Sequence, residues 1–216
     1  MRTDARDSVG IDLGTTHCVI SYVDLQHSGD EVALTVLAIP QLTGPGTIEE
    51  KPQLASFTYL PHAAEIVEGA TALPWAAKPE YLVGEIARNL GSKTPIRLVA
   101  SAKSWLCHAG VDCKQAILPV DAPEEIERIS PFSASMAYLQ HLRDAWNHRF
   151  PENRLEQQDV TLTVPASFDP AARELTVEAA RAVGLHQAVL LEEPQAALYS
   201  WIENSEGDWR NHVHVG

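Results

Sequence analysis

The sequence predicts an α/β fold, a mixed β-sheet with flanking helices plus a smaller inserted subdomain. Apolar β-forming runs open the chain as an antiparallel meander. A strand–helix–strand rhythm closes it at the spacing of a βαβ unit, which requires a parallel pair joined by a right-handed crossover. Between the two lies a stretch of different texture, punctuated by proline and glycine. With 216 residues, 45% of them hydrophobic, the chain is long enough to bury a sizeable core.

Residues 9–12, 18–23 and 32–39 read as the opening strands, with the polar HSGD at 27–30 as a hairpin loop. From 44 to 79, Pro45, Pro52, Pro61, Pro74 and Pro79 mark an irregular insertion with one strand-like run at 53–60. In 81–106, Pro95 suits a first helical turn. Leu98, Val99, Ala102, Trp105 and Leu106 follow it as one apolar helical stripe, with Lys103 off its centre. Met136, Leu139, Leu142, Trp146 and Phe150 recur every three or four residues and predict a long amphipathic helix over 133–150. VTLTV at 160–164 is a strand, and Asp169 with Pro170 starts a helix that Gly184 ends. AVLL at 188–191 is the next strand, and Pro194 opens another helix. The expected division is 1–50 with 128–216 as the base and 51–127 as the inserted subdomain.

Formal net charge is −13, which argues against a nucleic-acid-binding surface and reads as solubility. The charged start MRTDARDS lacks the apolar core of a signal peptide. No apolar run approaches the roughly 20 residues of a membrane-spanning helix. Cys18, Cys107 and Cys113 are odd in number and lack CxxC spacing, as expected for reduced thiols of a cytoplasmic protein. His212 and His214 form an HxH without a third ligand nearby and read as surface histidines.

The stretch VGIDLGTTHCVIS at 9–21 carries the chemistry. A Gly-Thr-Thr turn between strands offers clustered backbone N–H groups and two hydroxyls, and glycine lets a ligand approach the backbone. A carboxylate two residues before that glycine would repel a bare phosphate, but suits one carrying Mg²⁺. Taken alone, these five residues fit an ordinary hairpin turn equally well.

IDLGTT followed by a strand resembles the first phosphate motif of the actin-like ATPases, a fold of the ribonuclease H-like kind. Its surroundings are most similar to the seventy-kilodalton heat-shock (DnaK-type) chaperones. VGEIARN with SAKSWL resembles the segment bearing that family's catalytic lysine, LTVPASFDPAARELTVEAARAVGL its strand-to-helix segment, and LLEEPQAALYSW the segment of its catalytic glutamate. The matches fall in family order across 9–201.

The resemblance implies ATP hydrolysis with ATP and Mg²⁺ as ligands. Gly14, Thr15 and Thr16 would cradle the phosphates and Asp12 would hold the metal. Lys103 and Glu193 would orient the attacking water. Pro165 and Arg173 would relay nucleotide state to a substrate-binding domain. Each has a plainer alternative: a solvated lysine, a glutamate favoured by a helix N-terminus, a strand-ending proline, an exposed helical arginine. Implied partners are the second lobe and substrate-binding domain, a J-domain co-chaperone, a nucleotide exchange factor and unfolded clients.

His17, Cys18, Ser167, Val189, Glu192 and Gln195 depart from the family pattern, mostly on surfaces that couple to partners. The second phosphate loop, of form Asp-x-Gly-Gly-Gly-Thr, is not among these residues, so the sequence reads as a first lobe that binds ATP weakly by itself. Two other readings are an actin-fold sugar or glycerol kinase lobe and a non-enzymatic nucleotide-sensing scaffold.

Overall fold

A computed structural model describes residues 5–26, 33–62, 65–108, 110–205 and 208–212. The HSGD loop and His214 lie outside the described residues. Strands β1 (Asp7–Leu13) and β2 (His17–Asp24) form the opening antiparallel pair, with Ile11 opposite Ile20. The third run does not continue as one strand. Only β3 (Thr35–Val36) pairs with β2, and Ile39 begins β4 (Ile39–Gly44) in a different sheet. Leu37 and Ile39 are both buried, so following the core draws the chain off the first sheet.

The stretch expected to be irregular contains a regular hairpin, β4 with β5 (Thr47–Lys51). Pro45 and Gly46 form its turn, and Gly46 has φ +69°, a conformation that glycine adopts without a Cβ penalty. The run at 53–60 splits into β6 (Leu54–Ala55), which pairs with β2, and β7 (Phe57–Tyr59), which pairs with β8 (Leu82–Val83) and β9 (Leu98–Ala100). Ser56 stands where the chain passes from one sheet to the other.

The apolar stripe of 98–106 is also corrected. Helix α1 (Glu85–Gly91) precedes it, and Pro95 does open a helical turn, a single 3₁₀ turn over Pro95–Arg97. Leu98 and Val99, however, lie in β9, and only Ala102–Trp105 is helical, as α2. Pairing with β7 satisfies the backbone at 98–100, and Ser101, at φ +54°, breaks the chain between strand and helix.

The last third follows its sequence pattern. Helix α3 (Pro131–Arg149) starts at Ser130, whose hydroxyl accepts from the Ser133 N–H at 2.9 Å. Strand β10 (Asp159–Val164) lies parallel to β1, and β11 (Val189–Glu192) parallel to β10. Helix α4 (Pro170–Ala182) makes the crossover, with Asp169 accepting from the Ala172 N–H at 2.8 Å. Helix α5 (Glu193–Asn204) follows β11 directly, and α6 (Trp209–His212) comes after it. The main sheet thus runs β11-β10-β1-β2-β3, with β6 also on β2.

Its core joins Ile11, Ile20 and Leu162 from the sheet to Leu139, Leu142 and Trp146 from α3, all with 0% exposure. Tyr22 meets the Trp146 ring edge-on at 5.2 Å, and the indole N–H donates to the Asn153 carbonyl at 2.8 Å. His141, also on α3, is buried, and its Nε2 lies 2.9 Å from the Pro40 carbonyl of β4. A carbonyl can only accept, so Nε2 carries a proton, and burial keeps the ring neutral near pH 7.

Burial lowers the His141 pKa from 6.5 to about 4. An unfolded chain therefore protonates this histidine before the folded one does, and its contribution to stability is lost as pH falls between those values. We expect stability to fall by on the order of 3 kcal/mol across that window. In urea melts at stepped pH, His141→Gln should flatten this part of the profile, Asp144 and Glu80 at the same cavity being retained.

Candidate functional site

Parallel strands β1, β10 and β11 end side by side at Leu13, Val164 and Glu192, the edge where open α/β sheets bind ligands. Asp12 pairs in register with Thr163, whose hydroxyl donates to Asp12 Oδ1 at 2.7 Å. The Asp12 carboxylate is exposed and held in one orientation. Thr163 escapes sequence reasoning because only the register of two strands 151 residues apart brings it there.

The turn after β1 closes tightly. A Cβ on Gly14 would lie 2.2 Å from the His17 carbonyl oxygen, a backbone atom that cannot step aside, so only glycine fits. Thr15 and Thr16 are exposed at the tip. Ser56 braces the turn twice: its hydroxyl donates to the Gly14 carbonyl at 2.7 Å and its N–H to the Thr16 carbonyl at 2.9 Å. Its oxygen lies 3.3 Å from Cys18 Sγ; with the hydroxyl proton already committed to Gly14, the thiol is the donor. Burial pushes the Cys18 thiol up to about 12, so it stays protonated beneath the turn. The Asp12 charge adds to that rise and the Lys103 charge opposes it, both more weakly than burial.

Lys103 is a buried lysine, not a solvated one. Its side chain is 7% exposed, and Nζ donates to Glu193 Oε1 at 2.7 Å. The ammonium also lies 5.8 Å from the centre of the Phe168 ring. Glu193 is the first residue of α5 and 43% exposed, so one side of the pair faces water. Amine and acid come from segments 90 residues apart. Phe168 was not anticipated; its only sequence signal is its place in the VPASF run.

Pro165 and Arg173 are joined through Phe168. The Phe168 N–H donates to the Pro165 carbonyl at 3.1 Å, and Arg173 Nε donates to the Phe168 carbonyl at 3.1 Å. Arg173 Nη2 then reaches Glu192 Oε1 at 2.6 Å, so this arginine is half-buried and ion-paired. Of the positions that depart from the family pattern, Glu192 takes this pairing, while Val189 is 63% exposed on β11. Among the described residues, no three of His, Cys, Asp or Glu are grouped to hold a metal ion.

A family model described as Hsp70 protein matches residues 8–206. The chain is 28% identical over 221 residues to a chaperone protein HscA homolog of Pseudomonas putida, an alignment covering 94% of this chain and 30% of that protein. Homologs of the same name from Haemophilus influenzae and Laribacter hongkongensis are 30% and 31% identical, each over 91% of this chain and 28% of theirs. The chain therefore spans about three tenths of the length of these relatives.

Two substitutions separate the members of the ion pair. Glu193→Gln leaves a nearly buried ammonium without its counter-charge and should cost about 1–3 kcal/mol. Lys103→Met leaves only a carboxylate that water already reaches, and should cost less than about 1 kcal/mol. Chemical denaturation of both variants checks the order.

Proposed function

This chain belongs to the Hsp70 family, and from that premise we propose that it is the first lobe of the family's nucleotide-binding domain, binding Mg-ATP at the carboxyl edge of β1, β10 and β11. The proposed base is 1–50 with 128–216, and the proposed insertion 51–127. The observation that carries the reading is the Lys103–Glu193 pair, drawn from distant segments to the edge where Asp12 and the Gly14–Thr16 turn also stand. Family membership favours it over a sugar-kinase lobe.

The donor set fits the ligand. Asp12 would hold the metal, directly or through water; one carboxylate suffices for an ion whose other ligands are phosphate oxygens and water, so no cluster of protein ligands is required. Gly14, Thr15 and Thr16 would hold the β- and γ-phosphates through N–H and hydroxyl groups. When bound, Mg²⁺ supplies positive charge to the phosphate oxygens.

Phosphoryl transfer asks the protein chiefly for positioning and charge. Lys103 presents a fixed ammonium, held by Glu193 and backed by Phe168, so little reorganisation is required when charge develops nearby. Glu193 offers its water-facing side to accept a hydrogen bond from the attacking water. Thr163 keeps Asp12 from swinging away. Through Phe168 and Glu192, Pro165 and Arg173 form a continuous path from this edge into α4, the proposed relay.

Hydrolysis at a useful rate, and partners such as a J-domain co-chaperone, an exchange factor and unfolded clients, belong in this reading to the whole parent chain, as does a cytoplasmic location. Among the described residues no helix is long and apolar enough to cross a membrane.

Titration calorimetry on these 216 residues should give Mg-ATP affinity weaker than micromolar, with negligible turnover. In the two-lobed parent, Lys103→Ala and Glu193→Gln should each lower kcat by about 10²–10³-fold. Tight binding by the lobe alone, or near-normal turnover in both variants, would count against the proposal.

A further inference from the structure

Helix α2, which bears Lys103, is a single turn, so contacts at its C-terminal end govern how firmly that lysine is held. The Cys107 thiol donates to the Ser104 carbonyl at 3.4 Å. Cys113 Sγ lies 3.3 Å from the Trp105 carbonyl and 3.7 Å from that of Leu106. Two free thiols thus rest on three consecutive carbonyls at the end of this helix. A cavity of about 320 Å³ opens beside them, lined by both cysteines together with His108 and Asp112, so a small reagent can reach the pair.

We propose that Cys107 and Cys113 are a reversible dithiol–disulfide pair, oxidised by low-molecular-weight disulfides, whose closure fixes the end of α2 next to Lys103. The two thiols have different environments. Cys107 is exposed and reacts first. Cys113 is 9% exposed, and its backbone carbonyl accepts from the Phe132 N–H of α3 at 3.1 Å, so it is anchored and Cys107 makes the closing movement. Burial, and after it Asp112, raise the Cys113 pKa, which keeps it protonated until the second step.

The chemistry balances without any group from the nucleotide site. Cys107 loses its proton to solvent and its thiolate attacks one sulfur of the reagent disulfide. That S–S bond breaks and one small thiol leaves. Cys113 then gives its proton to solvent and its sulfur attacks Cys107 Sγ. The mixed S–S bond breaks and the second small thiolate departs, each departing thiolate taking up a proton from solvent. Two protein thiols are oxidised and one small disulfide is reduced to two thiols.

Oxidised glutathione is the probe, with intact mass and peptide mapping under non-reducing conditions as the readout. The whole chain should lose two hydrogens, carry a link between 107 and 113, and return to the starting mass with dithiothreitol. Cys113→Ser should stop at a glutathione adduct on Cys107, and Cys107→Ser should form neither adduct nor link. Amide hydrogen exchange at 104–106 should slow in the oxidised chain. A stable adduct on Cys107 in the unsubstituted chain, no reaction at all, or a link through Cys18 would overturn the pairing. A 107–113 link that leaves exchange at 104–106 unchanged would overturn the coupling to α2. None of these readouts uses ATP, so this inference stands or falls apart from the nucleotide-binding reading.

Discussion

The parallel ladder between β1 and β10 is the constraint on which the remaining geometry rests. It sets Asp12 opposite Thr163, and β11, added in parallel on the far side of β10, brings its own end and the start of α5 to the same edge. Side chains alternate across a sheet, so a slip of one residue would turn Asp12 toward the core and Ile11 toward solvent. Burial of Val9, Ile11 and Leu13 on one face and Val160, Leu162 and Val164 on the neighbouring strand makes that slip costly. The hydrophobic core thereby determines where the carboxylate points.

Ser56 is the second fixed point. It lies between β6, which belongs to the first sheet, and β7, which belongs to the sheet that also contains β9. Its N–H and hydroxyl are both spent on the Gly14–Thr16 turn. The turn and the segment leading through β9 to Lys103 are therefore referenced to one residue, and a shift between the two sheets would cost hydrogen bonds at the turn. Donors fixed in advance in this way are what electrostatic preorganisation requires.

Charge is arranged locally against the overall balance of −13. The consecutive glutamates at the β11–α5 junction each take a cation from a different helix: Glu192 pairs with Arg173 of α4, and Glu193 with Lys103 of α2. The junction is held from two directions, with Phe168 touching both cations, one through its ring and the other through its carbonyl. An exposed arginine and a solvated lysine, the plainer expectations for these residues, are replaced by a continuous set of contacts across the edge.

The sequence by itself determined the elements whose stabilisation is local. Helix α3 with its apolar spacing, the Asp169–Pro170 start of α4, the β10–α4–β11 unit and the Gly-Thr-Thr turn follow from periodicity, caps and glycine geometry within a few residues of themselves. Asp12, the turn residues, Lys103, Glu193, Pro165 and Arg173 could be named as candidates, because a family resemblance preserves their order along the chain. Tertiary structure alone decided the rest. It made Leu98 and Val99 a strand, since β7 offered a ladder partner that a helical pattern cannot reveal. It split 53–60 at Ser56, and it set Thr163, Ser56 and Phe168 against the residues of the candidate site. Each of those choices depends on a hydrogen bond or packing contact between segments far apart in the chain, and such contacts leave no local pattern to read.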